Sequence, residues 1–422
     1  MADGCVVVEG ERISAVVAPA DVPTGVPTID TEGIILPGLV DLHNHVTWNA
    51  FPRWKPQELT RNRYEWLTMP LYKMALDTPH AAIQRTNACD LERYGEVKAI
   101  VGGATAITGS LGPTAKDPNA NACDEGLARN LDYASGLFGP GVNHEPLLYK
   151  IFPFELDAAG EASVRSALAA GKPVIVHLAE GADASAAREF KMLKAHEFLK
   201  PGLTVIHGVA LGSDEFREMK SAGVALVWSP RSNFELYGTT TAIRDAKAAG
   251  VSIALSPDWS PSGSDGMLQE LAYAARWNAG QSSPVFSDKE FVDAVTATPA
   301  QLANVADKIG RIAPGSYADF LIVRRPAAID PYTAVVRTSP SDVKLVVIGG
   351  RPIYGQADLA RAVNPSGRFE SLSVCNMPRV IDMSDSDGGK GVTWKETVDS
   401  LRSQFGANGV TLSPLVDCRA MN

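Results

Sequence analysis

Between residues 162 and 255 the chain repeats one pattern: an amphipathic stretch of helix length, then a short apolar run. The helical stretches are 162–170, 184–198, 214–222 and 241–249. The runs that follow them are Pro173–His177, Leu203–His207, Val224–Trp228 and Val251–Leu255. A short run without polar alternation reads as a strand buried on both faces. Such strands alternating with helices imply a parallel sheet covered by helices on both sides. The same grammar extends upstream: a helix at Gln84–Tyr94, a strand within 97–108, a weak strand at Leu131–Ala134 and another at Leu147–Phe152. With the apolar run Ile34–Leu42 in front, eight strand–helix units result, which fits a (β/α)8 barrel. A doubly wound open sheet is the alternative. It is disfavoured because no glycine-rich phosphate loop follows the first strand.

The flanks read differently. Residues 5–18 form two short strands joined at Glu9-Gly10-Glu11, and a further extended piece spans Val26–Ile29. After helix Asp288–Ala297, residues 310–323 enter a strand, and Val343–Tyr354 form a hairpin about Gly349-Gly350. These pieces are expected to pair into a small β-sandwich-like domain. The division is then 1–33 and 309–364 for the β-domain, 34–308 for the barrel and 365–422 for an accessory tail. Within the tail, Ser384–Gly389 reads as a polar loop. Thr393–Phe405 reads as a helix with Trp394, Val398, Leu401 and Phe405 on one face.

The net charge of −9 argues against a nucleic-acid or anionic-membrane partner and leaves a small molecule as the expected one. Five scattered cysteines (Cys5, Cys89, Cys123, Cys375, Cys418) form no C-x-x-C pair and read as reduced thiols. With no signal peptide or membrane-spanning run visible, a cytoplasmic protein is expected.

Chemistry gathers at the strand ends. His43 and His45 are spaced by one residue, so in a strand their side chains point the same way. His177, His207 and Asp258 fall at the C-terminal ends of later strands, the face where barrel enzymes place their active residues. A lone strand-end histidine is more often a satisfied core residue. Four with an aspartate point instead to one divalent metal, Zn2+ or another first-row ion such as Fe2+. His80, His144 and His196 fall elsewhere. Glu180 follows His177 by three residues and suits a proton shuttle; its bland reading is an acid at a helix N-terminus. The segment 47–66 is rich in aromatic, proline and arginine residues. With Trp259 beside Asp258, its Trp48, Phe51, Trp54 and Tyr64 suggest a flat or apolar substrate. Exposed apolar area there would suit a lid or a homo-oligomer contact.

The run Pro37-Gly38-Leu39-Val40-Asp41-Leu42-His43-Asn44-His45 resembles the signature of the amidohydrolase superfamily. His177-Leu178-Ala179-Glu180, His207, Ser229-Pro230-Arg231-Ser232-Asn233 and Ser256-Pro257-Asp258 resemble its cytosine deaminase/chlorohydrolase-like branch. Ala313–Asp319 is similar to a family border segment. The resemblance implies a metal-activated water attacking an sp2 carbon to break a C–N bond, by ring deamination or by amide, urea or lactam hydrolysis. It implies His43, His45, His177 and Asp258 as ligands. Asp258 also serves as base, His207 orients substrate or contacts the metal, and Glu180 is the proton carrier. Ser232 and Asn233 are candidates for supporting contacts, with a helix cap as the bland reading. The 47–66 segment matches nothing in the well-known members, so their substrates do not carry over. Other branches use a carboxylated lysine between two metals. Lys150, inside the fourth strand, would take that role in a binuclear lactamase or phosphoesterase, with Arg53, Arg63 and Arg231 as phosphate contacts. Otherwise it is a snorkelling lysine. A non-catalytic metal-binding barrel is the remaining alternative.

Overall fold

A computed structural model describes residues 3–110, 126–132, 138, 146–386 and 391–418. Cys123, His144 and parts of the expected strand 131–134 and loop 384–389 lie outside these residues.

Eight parallel strands run in chain order among the described residues: β4 (Leu39–Val40), β5 (Ala104–Ile107), β6 (Arg129–Asn130), β7 (Leu148–Lys150), β8 (Val174–Leu178), β9 (Leu203–His207), β10 (Ala225–Trp228) and β11 (Ile253–Leu255). They pair as β4-β5-β6 and β7-β8-β9-β10-β11. Leu147 N donates to Leu131 O between the two groups, and a parallel bridge joins Asn44 to Asp258 beyond the first and last strands. The ring therefore closes as a barrel. Every residue of β8 and β9 is buried, as strands covered on both faces require. Val40, Leu42, Ala106, Ile175, Ile206, Val227 and Ala254 point inward and form one contiguous core.

The flanking part differs from the sandwich expected. β3 (Gly33–Pro37), read as the start of the barrel's first strand, instead pairs antiparallel with β12 (Phe320–Arg324). It is one edge of a six-stranded sheet ordered β15-β16-β14-β13-β12-β3, with β13 (Val343–Ile348), β14 (Arg351–Gly355), β15 (Phe369–Val374) and β16 (Met377–Asp382). The N-terminal strands β1 (Cys5–Glu9) and β2 (Arg12–Val17) form a separate hairpin. Ile13 of the hairpin and Leu359 and Ala360 of helix Ala357–Val363 cover Phe320, Ile322, Leu345 and Val347. A single sheet with a hairpin and a helix on one face thus replaces a sandwich. Gly38 breaks the run between β3 and β4. A Cβ there would meet the Thr105 side chain at 2.1 Å, so only glycine lets the chain pass this close to β5.

Helix Trp394–Ala407 carries Val398, Leu401 and Phe405 on its buried face, as the sequence pattern predicts. The tail then turns back, and Cys418 forms a disulfide with Cys375. Cys89 is disulfide-bonded too, and Cys5 is the free cysteine among those described. The reading of five reduced thiols is therefore overturned. Linear spacing carries no trace of a pairing made by a tail folding back over 43 residues. Disulfides persist in oxidising surroundings, so the cytoplasmic expectation loses its premise. No described helix is long and apolar enough to cross a membrane.

Candidate metal centre and active site

At the C-terminal mouth of the barrel His43, His45, His177, His207 and Asp258 converge. Ring nitrogens of His43, His177 and His207 lie within 4.8 Å of one another. So do ligand atoms of His43, His45 and Asp258. His43 Nε2 is 3.1 Å from His177 Nε2 and 3.1 Å from Asp258 Oδ1, and His45 Nε2 is 3.3 Å from the same oxygen. His207 and Asp258 both have positive φ, 68° and 71°, which turns their side chains inward from the strand ends at a cost of order 1–3 kcal/mol each.

The surroundings orient these groups. His207 Nδ1 lies 2.9 Å from Asn233 Oδ1, and Asn233 Nδ2 donates to Thr240 Oγ1, which identifies Oδ1 as the acceptor. His207 Nδ1 is then the protonated nitrogen, and Nε2 turns a lone pair to the centre. His43 Nδ1 lies 2.7 Å from Ser229 Oγ. When Nδ1 donates there, Nε2 of His43 likewise faces Asp258 with a lone pair, an arrangement a cation stabilises. Burial holds the His43, His177 and His207 imidazoles below their usual protonation range, which favours the neutral ligand form; for His177 the charges of neighbouring histidines add to it. Burial opposes ionisation of Asp258, but its close neighbours His43 and His45 outweigh it and hold the carboxyl well below its usual range. These residues fit a divalent ion by donor type, protonation and convergence.

Glu180 is buried at the rim with Oε2 3.7 Å from His207 Nε2. Ser232 Oγ donates to Asp258 Oδ2 at 2.5 Å and Asn233 Oδ1 meets His207 Nδ1, so these side chains do not cap the helix Pro230–Tyr237. Lys150 is half-buried at the end of β7. Its neighbour Tyr149 turns its ring toward His177 at 6.2 Å, and strand alternation sends Lys150 the other way.

Residues 46–77 cover this mouth. Arg63 N donates to Glu180 O, and Asn62 bridges to Gly181, where a Cβ would meet Arg61 O at 2.5 Å. The inner face of the segment is aromatic. Trp259 lies 6.1 Å from the His45 ring, 5.6 Å from Trp48 and 5.6 Å from Trp66. Tyr72 is 5.1 Å from Trp66 and 5.5 Å from Trp54. His43, His177 and His207 are at most 2% exposed, whereas the His45 side chain keeps 16%, so His45 is the member of the cluster nearest solvent. Trp48, Trp54 and Trp259 thus join one wall. Phe51 does not: it is fully buried, 4.7 Å from Phe405 of the tail helix. Tyr64 is 41% exposed and donates to Glu189. Trp66 and Tyr72 belong to the wall without having been singled out, although Trp66 lies in the same aromatic stretch. Tyr237, bonded to Glu180 57 residues away, left no signal in the sequence.

The amidohydrolase family profile matches residues 34–353. The 5-methylthioadenosine/S-adenosylhomocysteine deaminase of Syntrophobacter fumaroxidans is 24% identical over 369 residues, covering 77% of this chain and 81% of that protein. A zinc-bound adenosine deaminase of Xanthomonas campestris superposes with a TM-score of 0.70 at 17% identity, covering 97% of this chain and 94% of the other. A mutant of the atrazine chlorohydrolase of Arthrobacter aurescens, solved with zinc and atraton, gives 0.68 at 21% identity, covering 86% of this chain and 94% of the other. These likenesses carry the barrel fold, and the profile spans most of the chain. The chain belongs to the amidohydrolase family and is a metal-dependent hydrolase that acts on carbon–nitrogen bonds other than peptide bonds.

Proposed function

We propose that the chain deaminates an amino-substituted aromatic heterocycle, using one zinc ion held by His43, His45, His177 and Asp258, with His207 beside it. The observation that carries this reading is the aromatic wall of Trp48, Trp54, Trp66, Tyr72 and Trp259 running directly to His45. A flat ring stacked there presents its edge to the histidines. The names of the deaminase relatives agree with an aminopurine-like substrate.

A divalent ion in this set supplies a water made acidic enough to attack near neutral pH. The chain's own groups manage protons and geometry. Asp258, ionised, accepts one proton from the attacking water. Protonated Glu180 gives one from Oε2 to the departing amino nitrogen, which leaves as ammonia with the electron pair of the C–N bond. The other hydrogen of the water stays on the new ring hydroxyl, and the Asp258 proton restores Glu180 for the next turnover. His207 Nε2 faces the substrate side of Glu180. The segment 46–77 excludes bulk water.

The phosphoesterase alternative is disfavoured by the arginines. Arg53 donates to Gly263 O and pairs with Glu235, and Arg63 is buried against Glu189. The test is metal content of protein purified without added metal, together with ammonia release from aminopurines, aminopyrimidines and aminotriazines. About one zinc per chain and ammonia release lost in Asp258→Asn support the reading. About two ions per chain, or a new carboxylate in place of ammonia, overturn it.

A further inference from the structure

One short helix, Pro230–Tyr237, touches three separate parts of the active centre. Its first turn holds Asp258 through Ser232 and His207 through Asn233. Its last residue, Tyr237, is buried and donates its hydroxyl to Glu180 Oε1 at 2.6 Å. Asn233 and Tyr237 are four residues apart, so they share one helix face. The indole of Trp66 donates to the Tyr237 oxygen at 2.8 Å. Trp66 is itself part of the aromatic wall, 5.6 Å from Trp259.

The chain of donors has one direction. Indole N–H only donates, so the Tyr237 oxygen accepts from Trp66. The single phenolic proton is then committed to Glu180 Oε1. Burial, with the adjoining Glu180 carboxyl, pushes the Tyr237 phenol well above its usual range, so it keeps that proton. Of the two Glu180 oxygens, Oε1 is occupied by a donor, and Oε2 faces His207.

We propose that Tyr237 is a positioning residue that clamps Glu180 by Oε1, leaving Oε2 as the oxygen that carries the proton to the leaving nitrogen, and that Trp66 ties this clamp to the wall that stacks the substrate. The proposal rests on the role given to Glu180 above. A carboxylate free to rotate offers either oxygen and spends part of its time turned from the substrate. A clamped one pays no reorientation cost at the moment of transfer.

The leaving group provides the test. An amino group must be protonated to depart; chloride departs without a proton. Adenosine and 6-chloropurine riboside differ at that position, and ammonia and chloride are assayed separately with zinc-loaded enzyme. Tyr237→Phe keeps the ring and removes only the hydroxyl. The expected result is a fall in kcat of about 10- to 100-fold on the amine, KM changed less than about twofold, and chloride release changed less than about threefold. Trp66→Phe removes the donor to the Tyr237 oxygen and also alters the wall, so it should raise KM for both substrates while ammonia release still falls more than chloride release. Equal losses on both substrates, or a loss confined to KM, would overturn the proposal in favour of a merely structural contact. If the wild-type enzyme turns over neither purine, the substrate reading fails and the clamp is decided without substrate. A crystal structure of Tyr237→Phe in which Glu180 leaves its place beside His207 supports it. One in which the carboxylate keeps its place and order refutes it.

Discussion

Lys98 is fully buried in the helix Thr78–Val101, and its substitution tests how the tail supports the active site. Its ammonium lies 3.1 Å from Asp265 Oδ1 and donates to Asn49 O and Ser413 Oγ, both at 3.1 Å. Asn49 in turn accepts from Ser260 N and donates to Asn44 Oδ1, so it ties the segment after β4 to the loop after β11. Asp265 also accepts from Asp417 N in the tail. Burial opposes its charge, but Lys98 outweighs it and holds the carboxyl below its usual range. At that separation and an effective dielectric of about 20, the pair attraction is of order 5 kcal/mol, most of it offset by desolvation of both charges. Lys98→Met preserves the stem and strands the aspartate. The expected loss is about 3–5 kcal/mol in urea unfolding followed by tryptophan fluorescence. Adding Asp265→Leu removes the stranded charge and should recover much of that loss. A single-variant loss under about 1 kcal/mol, or a double variant as unstable as the two single losses summed, would refute the reasoning.

Two further outcomes follow from buried groups and the tail. Burial pushes the Glu96 carboxyl from 4.5 up to about 8, although Leu127 N and Asn130 Nδ2 donate to it. Because the folded-state value is raised, its stabilising contribution is complete below about pH 4.5 and is lost as pH rises to about 8. The slope is about 1.4 kcal/mol per pH unit, and Glu96→Gln should flatten the fall in unfolding free energy measured at pH 5, 6.5 and 8. Opening the Cys375–Cys418 bridge, which closes a 43-residue separation, by Cys418→Ser should cost about 4 kcal/mol on a chain-entropy model. Amide exchange should show the loosening concentrated at residues 410–418; unchanged protection there would argue that the tail docks without the bridge.

How much could be read in advance depended on whether a feature is local. The β8 to β11 strands and their helices follow from apolar runs a few residues long, and the observed elements fall within a few residues of the expected ones. His43, His45, His177, His207 and Asp258 were visible because barrel topology turns strand ends into neighbours. The run at 34–37 misled because an apolar strand has the same pattern in a barrel as in a sheet. Only pairing with β12, nearly 300 residues later, assigns it. The aromatic segment was visible as composition. Which of its rings face the histidines was not: Phe51 turns to the tail and Trp66 to the site.

By itself the sequence determined the βα repeat, the strand-end histidines and the acid three residues after His177. Periodicity and spacing specify these directly, since helix and strand geometry act over a few residues. The tertiary structure alone decided the Cys375–Cys418 bridge, the Lys98–Asp265 node and the donor line from Trp66 through Tyr237 to Glu180. Each joins residues tens to hundreds of positions apart. Such a contact arises where folding removes water from both partners, and no local pattern encodes which partner that will be.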